Sequence, residues 1–160
     1  MKKFYITTPL YYVNDEPHIG HAYTTILADV ISRIKKIQKH DVFFLTGTDE
    51  HGQKVQEAAE KRNVSPKNHV DEYVERFKNT WDKLDIDYNY FIRTTDTNHQ
   101  DKVKKILCDL YEKGEIYFDE YEGLYSVSEE RFITQKEMEE GNFREIKKIK
   151  EKNYFFKMSK

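Results

Sequence analysis

Two histidines that flank a glycine, in His18-Ile19-Gly20-His21, are the residues of this chain best suited to chemistry. They follow the short apolar segment 4–8 and stand directly before a long amphipathic segment. A helix that began here would attract the phosphates of a nucleotide, while Gly20 would let the backbone approach closely and the two imidazoles would donate to developing charge. The pattern therefore predicts a nucleotide-handling site, with Ile19 turned toward a sheet.

The elements that must position these histidines are a strand, a turn and a helix. Pro9 ends the strand, and Pro17 fixes the backbone that enters the helix. Over residues 21–38 the helix has an apolar stripe, predicted to face the core, and a polar face opposite it. The stripe comprises Leu27, Val30, Ile31 and Ile34, and the polar face comprises Asp29, Ser32, Lys35 and Lys36.

The rest of the chain continues this alternation of strands and helices. Residues 41–47 predict a second, parallel strand that stops at Gly47, and helices follow over 53–62 and from Pro66 to about residue 83, with Ser65 as the cap of the latter. Strand 88–93 precedes helix 98–113, whose apolar residues are expected to point inward: Ile106, Leu107, Leu110 and Tyr111. Such a series predicts an α/β fold with a parallel, Rossmann-like sheet.

Past Gly114, over residues 115–127, the sequence becomes aromatic and alternating, which favours an antiparallel hairpin. We therefore predict a nucleotide-binding domain over residues 1–115 and the beginning of a second, α+β domain over residues 116–160. A short helix is expected at 134–140, and residues 154–156 form a closing aromatic segment.

A second group of polar residues, in the segment 48–54, follows the strand that ends near Gly47. Ligands bind at the carboxyl ends of parallel strands, so this segment and the turn before His18 are expected to face one site. Asp49 has two interpretations: its carboxylate binds an ammonium group, or it caps the next helix. His51 is equally open to a structural role.

Composition narrows the possible functions. The 160 residues carry 27 basic and 29 acidic side chains, a net charge of −2, which does not indicate a general nucleic-acid surface. The basic run 144–152 is interpreted as a solvated face. One cysteine, Cys108, excludes an internal disulfide and is expected in the core. We expect no membrane-spanning segment and no signal peptide, hence a cytoplasmic protein.

Four segments together resemble a known family, the bacterial methionyl-tRNA synthetases of class I. They are Pro9-Leu10-Tyr11-Tyr12, His18-Ile19-Gly20-His21, the block Thr46-Gly47-Thr48-Asp49-Glu50-His51-Gly52-Gln53-Lys54, and Phe91-Ile92-Arg93-Thr94-Thr95-Asp96. The block around Asp49 is more specific than the histidine motif, which many class I enzymes share. The resemblance is to the N-terminal part of such an enzyme, and residues 116–160 resemble the start of its inserted connective domain.

The resemblance implies an enzyme that joins methionine to ATP as methionyl-adenylate and then transfers the methionyl group to tRNA(Met). It assigns ATP, with Mg²⁺, to His18, Gly20 and His21, and names both histidines as catalytic. It assigns the α-ammonium group of methionine to Asp49, and the thioether pocket in part to Leu10 and Tyr12. An apolar, polarisable pocket suits a thioether.

Two segments depart from the family pattern. Lys157-Met158-Ser159-Lys160 resembles the family's second motif, but its position after an aromatic segment favours coincidence. Ser126 and Glu129 stand where some members carry zinc-binding cysteines, so we expect no zinc. The leading hypothesis is an N-terminal fragment of the synthetase that is inactive alone. The alternatives are a non-catalytic module that binds nucleotide or methionine and a small nucleotidyltransferase.

Overall fold

A computed structural model describes residues 1–129, 131–141, 143 and 145–159, which divide into two compact units, Met1–Lys102 and the described residues from Val103 onward. In chain order the elements are β1 (Lys3–Thr7), β2 (Tyr11–Tyr12), α1 (Ile19–Ile37), β3 (Asp41–Asp49), α2 (Gln53–Lys61), α3 (Pro66–Lys83), β4 (Tyr90–Arg93), α4 (Thr97–Glu112), β5 (Ile116–Ser126), β6 (Arg131–Ile133), α5 (Gln135–Glu140) and β7 (Ile146–Phe156).

The first unit is built on a four-stranded sheet with β3 at its centre. Strand β3 pairs in parallel with β1 and β2 along successive stretches, and also in parallel with β4. All four strands therefore end at one edge, where ligands bind in this class of sheet. The mixed α/β fold with a parallel sheet, predicted from the alternation of strands and helices, is confirmed.

The prediction that the second strand stops at Gly47 is wrong, because β3 continues to Asp49. The glycine serves a close approach to the neighbouring strand instead. A Cβ atom at position 47 would lie 2.0 Å from the backbone oxygen of Ile92 on β4. The missing side chain therefore lets β3 and β4 pair along Leu45 to Thr48, which carries β3 to the site.

The core of the first unit lies between the sheet and its helices. The apolar residues of α3 are all buried, and they pack with Tyr11, Phe44 and Ala28. These residues of α3 are Val70, Tyr73, Val74, Phe77 and Trp81. Helix α3 begins as predicted, with Ser65 accepting a hydrogen bond from the amide of Asn68 and Pro66 in the first turn. This core fixes α1 and the strand that carries Tyr11.

Helix α1 turns its polar face inward, so the prediction of an inward apolar stripe is wrong. Thr25, Ala28, Asp29 and Ser32 are buried, whereas Leu27, Val30 and Ile34 are 50%, 45% and 46% exposed. Small side chains let the helix approach the sheet, and the Asp29 carboxylate accepts a hydrogen bond from the amide of Asp87 and pairs with Arg33. Ile19 is likewise exposed rather than turned toward the sheet.

This orientation predicts opposite effects for two neighbouring substitutions on α1. Val30→Lys should change the free energy of unfolding by less than about 0.5 kcal/mol, because its side chain already reaches solvent. Ala28→Leu should lower it by about 1 to 3 kcal/mol, because Ala28 is buried against the core. Urea unfolding of both variants measures this. A larger loss for Val30→Lys than for Ala28→Leu would contradict the orientation.

The second unit contains an antiparallel sheet in the order β6-β5-β7. Antiparallel pairing is as predicted, but residues 116–126 form one long strand that pairs with β6 and β7, so the predicted hairpin within residues 115–127 is wrong. Helix α4 buries none of its residues, so the expected inward packing of Ile106, Leu107 and Tyr111 is wrong, and Cys108 is exposed rather than in the core. Leu107, Cys108 and Tyr111 instead border an open cavity together with residues of β5 and β7. A helix at the edge of a small unit has an apolar face but too few neighbours to cover it.

Charged residues of β7 pair across the sheet. Lys148 and Lys150 form ion pairs with Glu122 and Glu120 of β5, both largely in solvent. This agrees with a solvated face for the basic run, of which Arg144 lies outside the described residues. The domain limits 1–115 and 116–160 stay a prediction. Within the described residues, no helix has the length and apolar character needed to cross a membrane.

Candidate nucleotide and amino-acid site

The two histidines of the motif cap α1 and fix each other. His18 is the N-cap residue, and its Nδ1 accepts a hydrogen bond from the amide of Gly20 at 3.1 Å. His21 Nδ1 accepts one from the amide of His18 at 3.2 Å. Because both Nδ1 atoms accept, the proton of each neutral ring lies on Nε2. Both histidines therefore keep an Nε2–H group for a ligand at the positive end of the helix.

Gly20 belongs to the same arrangement. A Cβ atom there would lie 2.9 Å from His18 Cε1, so the absence of a side chain leaves room for the capping ring. The rings of His18 and His21 stack with centroids 3.8 Å apart. The structure thus brings the three residues predicted for ATP together at the start of α1.

Tyr11 and Phe77 support His21 from the core side. The Tyr11 ring lies 4.8 Å from the His21 ring, and the Phe77 ring lies 5.2 Å from it. Tyr11 also shares a 2.8 Å hydrogen bond with Thr25, one turn further along α1. Burial, followed by the nearby charge of His18, lowers the pKa of His21 below its ordinary value. His21 is therefore a neutral donor at physiological pH.

The lowered pKa gives a direct prediction. In a proton NMR titration the His21 pKa should lie below 6.5, and His18→Asn should raise it, because the variant removes the neighbouring charge and keeps a capping side chain. Folding stability contributed by neutral His21 should be present above pH 6.5 and be lost as the pH falls through the lowered pKa. His99→Asn, on a different helix, serves as the control. A His21 pKa above 6.5 would contradict the geometry.

The residues predicted for methionine lie beside this cap. Leu10, Tyr12, His18 and His21 border one cavity of about 370 Å³. Tyr12 of β2 is the register partner of Asp49 at the carboxyl end of β3. Adjacent side chains alternate along β2, so Tyr11 is buried against the core while Tyr12 is half exposed. The sheet edge therefore brings Leu10, Tyr12 and the two imidazoles to one cavity, with Asp49 on the strand next to Tyr12.

Asp49 does not cap the following helix, so that interpretation is wrong. The N-cap of α2 is Gly52, and no side chain accepts a hydrogen bond there. Asp49 is half-buried, and its Oδ1 lies 3.5 Å from the hydroxyl of Thr94, which follows β4. His51 is exposed and borders a separate cavity with Glu50 and Arg93. Asp49 thus keeps its carboxylate available for a cation.

Sequence reasoning missed a buried ion pair directly behind Asp49. The side chain of Glu50 is fully buried and accepts hydrogen bonds from Arg93 Nε at 2.7 Å and from a second guanidinium nitrogen at 2.8 Å. Burial alone would raise the pKa of Glu50, but the hydrogen bonds from Arg93, Thr95 and Thr48 outweigh it and hold the pKa below its ordinary value. The sequence did contain a signal for this pair, because both residues lie in the motif segments. Glu50 directly follows β3, and Arg93 ends the adjacent parallel strand β4.

Metal binding has no support in the described part of the chain. None of its groups of His, Cys, Asp and Glu contains three members placed to hold a metal ion. Ser126 and Ser128 share a 3.1 Å hydrogen bond, and the Ser126 hydroxyl accepts one from the amide of Glu129. The absence of zinc stays a prediction, as does the coincidence of residues 157–160, of which Lys160 lies outside the described residues.

The parallel sheet, the capped helix at its carboxyl edge and the adjoining pocket define a Rossmann-like nucleotide-binding unit. The family model described as tRNA synthetases class I (M) matches residues 4–154. The chain therefore belongs to the class I (M) tRNA synthetases, as the motif segments predict.

Relatives and solved structures agree with this family. The chain is 49% identical over 162 residues to the methionine–tRNA ligase of Caldanaerobacter subterraneus, covering 99% of this chain and 25% of that protein. It is 48% identical to the Campylobacter jejuni ligase, covering 98% and 26%. The structure of Mycobacterium tuberculosis methionyl-tRNA synthetase in complex with methionyl-adenylate matches with a TM-score of 0.91 at 38% identity, covering 99% of this chain and 33% of that one. The chain thus spans about a quarter of the length of its curated relatives.

Proposed function

We propose that this chain carries the methionine-activating site of a methionine–tRNA ligase. His18, Gly20 and His21 would bind ATP, and Leu10, Tyr12 and Asp49 would bind methionine. The observation that carries the proposal is the convergence of Tyr12 and Asp49, register partners on neighbouring strands, with the capped start of α1. The relatives named methionine–tRNA ligase and the Mycobacterium tuberculosis complex support the choice of methionine over other amino acids.

The chemistry is a displacement at the α-phosphate of ATP. A methionine carboxylate oxygen forms a bond to phosphorus, the bond to the β-phosphate breaks, and pyrophosphate leaves with that electron pair. Asp49 would hold the α-ammonium group by a charge-assisted hydrogen bond, which leaves the carboxylate free to attack. The Nε2–H groups of His18 and His21 would donate to the charge that develops on the phosphate oxygens.

Mg²⁺ would enter with ATP and neutralise phosphate charge. The described residues hold no group of three metal-binding side chains, so no residue of this chain is assigned to the ion and no step runs through it. Transfer of the methionyl group to tRNA(Met) belongs to the same proposal. A cytoplasmic location and the inactivity of this chain alone stay predictions.

Methionine-dependent exchange of pyrophosphate into ATP tests the proposed reaction. Exchange by the purified chain that is lost in His21→Ala, and kept in the control His99→Ala, is the supporting result. Binding of both methionine and ATP without exchange is the result expected of a fragment that is inactive alone, whereas binding of only one of the two ligands would favour the non-catalytic module. A chain that binds neither methionine nor ATP would overturn the proposal.

A further inference from the structure

The carboxylate of Glu50 is held from every side, although it lies one residue from the solvent-accessible Asp49. Its Oε1 accepts hydrogen bonds from the Thr48 hydroxyl at 2.7 Å and Arg93 Nε at 2.7 Å. Its Oε2 accepts from the Thr95 hydroxyl at 2.6 Å and from the Arg93 guanidinium. Four donors satisfy this carboxylate, which leaves it no capacity to bind a ligand and gives it a fixed orientation.

Arg93 extends this network to α3. The same guanidinium nitrogen that contacts Glu50 also donates to Asp71 Oδ1 at 2.6 Å. The backbone amide of Arg93 donates to Asp96, and that of Thr94 donates to the carbonyl of Thr48. Arg93 therefore joins the ends of β3 and β4 through its pair with Glu50 and joins them to the first turns of α3 through its pair with Asp71.

Thr94 connects this network to Asp49. Its hydroxyl oxygen accepts a hydrogen bond from the amide of Glu50 at 2.9 Å. Because that bond uses a lone pair, the hydroxyl proton is free to point at Asp49 Oδ1, 3.5 Å away. Asp49 is the last residue of β3 and Glu50 follows it directly, so holding Glu50 in place also holds the backbone that carries Asp49.

We propose that Thr94, held in place by the Glu50–Arg93 ion pair, is the positioning residue that orients the Asp49 carboxylate toward the α-ammonium group of methionine. The part of this inference that concerns methionine rests on the proposed function. The part that concerns the orientation of Asp49 does not, and the two parts have separate measurements.

Orientation is measured on the ligand-free chain by the NMR couplings that report the Asp49 χ1 angle. We expect a single staggered rotamer in the wild type and in Thr94→Ser, which keeps the hydroxyl. Thr94→Val, which keeps the shape but removes the hydroxyl, should give rotationally averaged couplings. Identical couplings in Thr94→Val and the wild type would overturn the inference whether or not methionine binds.

Recognition of the ammonium group is measured by calorimetric titration with methionine and with 4-(methylthio)butanoate, which lacks that group. Thr94→Val should reduce the preference for methionine about tenfold, since an oriented hydrogen bond to a charged group is lost, and leave the affinity for the analogue unchanged. Thr94→Ser should restore the preference. An equal loss of affinity for both ligands would show a merely structural role and overturn the inference.

Two further variants keep the test independent of folding. Arg93→Lys preserves the charge but cannot make the paired contact with Glu50, so it should reduce the preference in the same direction. Glu72→Gln removes an exposed ion pair with Arg62 and should leave the preference unchanged. If wild-type chain binds neither ligand, the proposed function fails, and the rotamer measurement still decides the role of Thr94.

Discussion

Asp49→Ala is expected to weaken methionine binding by at least about 100-fold, or about 3 kcal/mol. The variant removes the carboxylate that would pair with the α-ammonium group, and it leaves that charge without its partner. Asp49 is half-buried and makes no capping contact, so the loss should fall on binding rather than on folding. Calorimetric titration of the purified chain with methionine measures the affinity.

Asp41→Ala provides the matched control for this prediction. Asp41 begins the same strand at its opposite end and is exposed, so the variant makes the same chemical change far from the site. Its methionine affinity should equal that of the wild type. An Asp49→Ala chain that binds methionine within about threefold of the wild type would contradict the role given to Asp49.

Arg93→Met is expected to lower the free energy of unfolding at pH 7 by about 3 to 5 kcal/mol. The variant leaves Glu50, whose side chain is fully buried, without its counterion and without two of its four hydrogen bonds. Urea unfolding followed by circular dichroism gives the free energy. Lys67→Met is the matched control, because Lys67 also pairs with Asp71 but is 79% exposed, and its loss should cost less than about 1 kcal/mol.

The pH dependence gives this prediction its sign. In the wild type the Glu50 pKa is lowered, so the ionised carboxylate contributes stability that is present above its unfolded value near 4.5 and is lost as the pH falls through the lowered pKa. In Arg93→Met the burial of Glu50 dominates and raises the pKa of its carboxyl group. The free-energy penalty of burying the unpaired carboxylate is therefore relieved as the carboxylate takes up a proton at lower pH. The difference between the two proteins should therefore shrink from pH 7 toward pH 4.5. A difference that grows on acidification would contradict a buried, ion-paired Glu50.

Much of the fold was predictable from local patterns. Proline and serine at the start of α3, and the apolar spacing that ends at Trp81, act over one helical turn and needed no tertiary information. The start of α1 at the histidine motif was predicted from the same kind of local pattern, but the mutual capping of His18 and His21 was not. That the segment before His18 and the segment after β3 face one site followed from a general rule for parallel sheets, although strand β2 itself was not predicted.

The errors arose where distant contacts decide the outcome. The inward face of α1 depends on how its small residues fit against the sheet and on the amide of Asp87, which donates to Asp29, and both partners lie outside the helix. Gly47 reads locally as a stop, but the oxygen of Ile92 on another strand explains it. Glu50 and Arg93 are 43 positions apart, so no spacing rule would pair them.

The most direct test of whether the proposed ATP-binding and methionine-binding residues form one site is titration with a non-hydrolysable analogue of methionyl-adenylate, in which a sulfamate replaces the phosphate. We predict one analogue bound per chain, displaced by either methionine or ATP, with its affinity reduced both by Asp49→Ala and by His21→Ala. Asp41→Ala and His99→Ala should bind it as the wild type does. An analogue that does not bind, or that both ligands fail to displace, would contradict a methionine-activating site at this sheet edge.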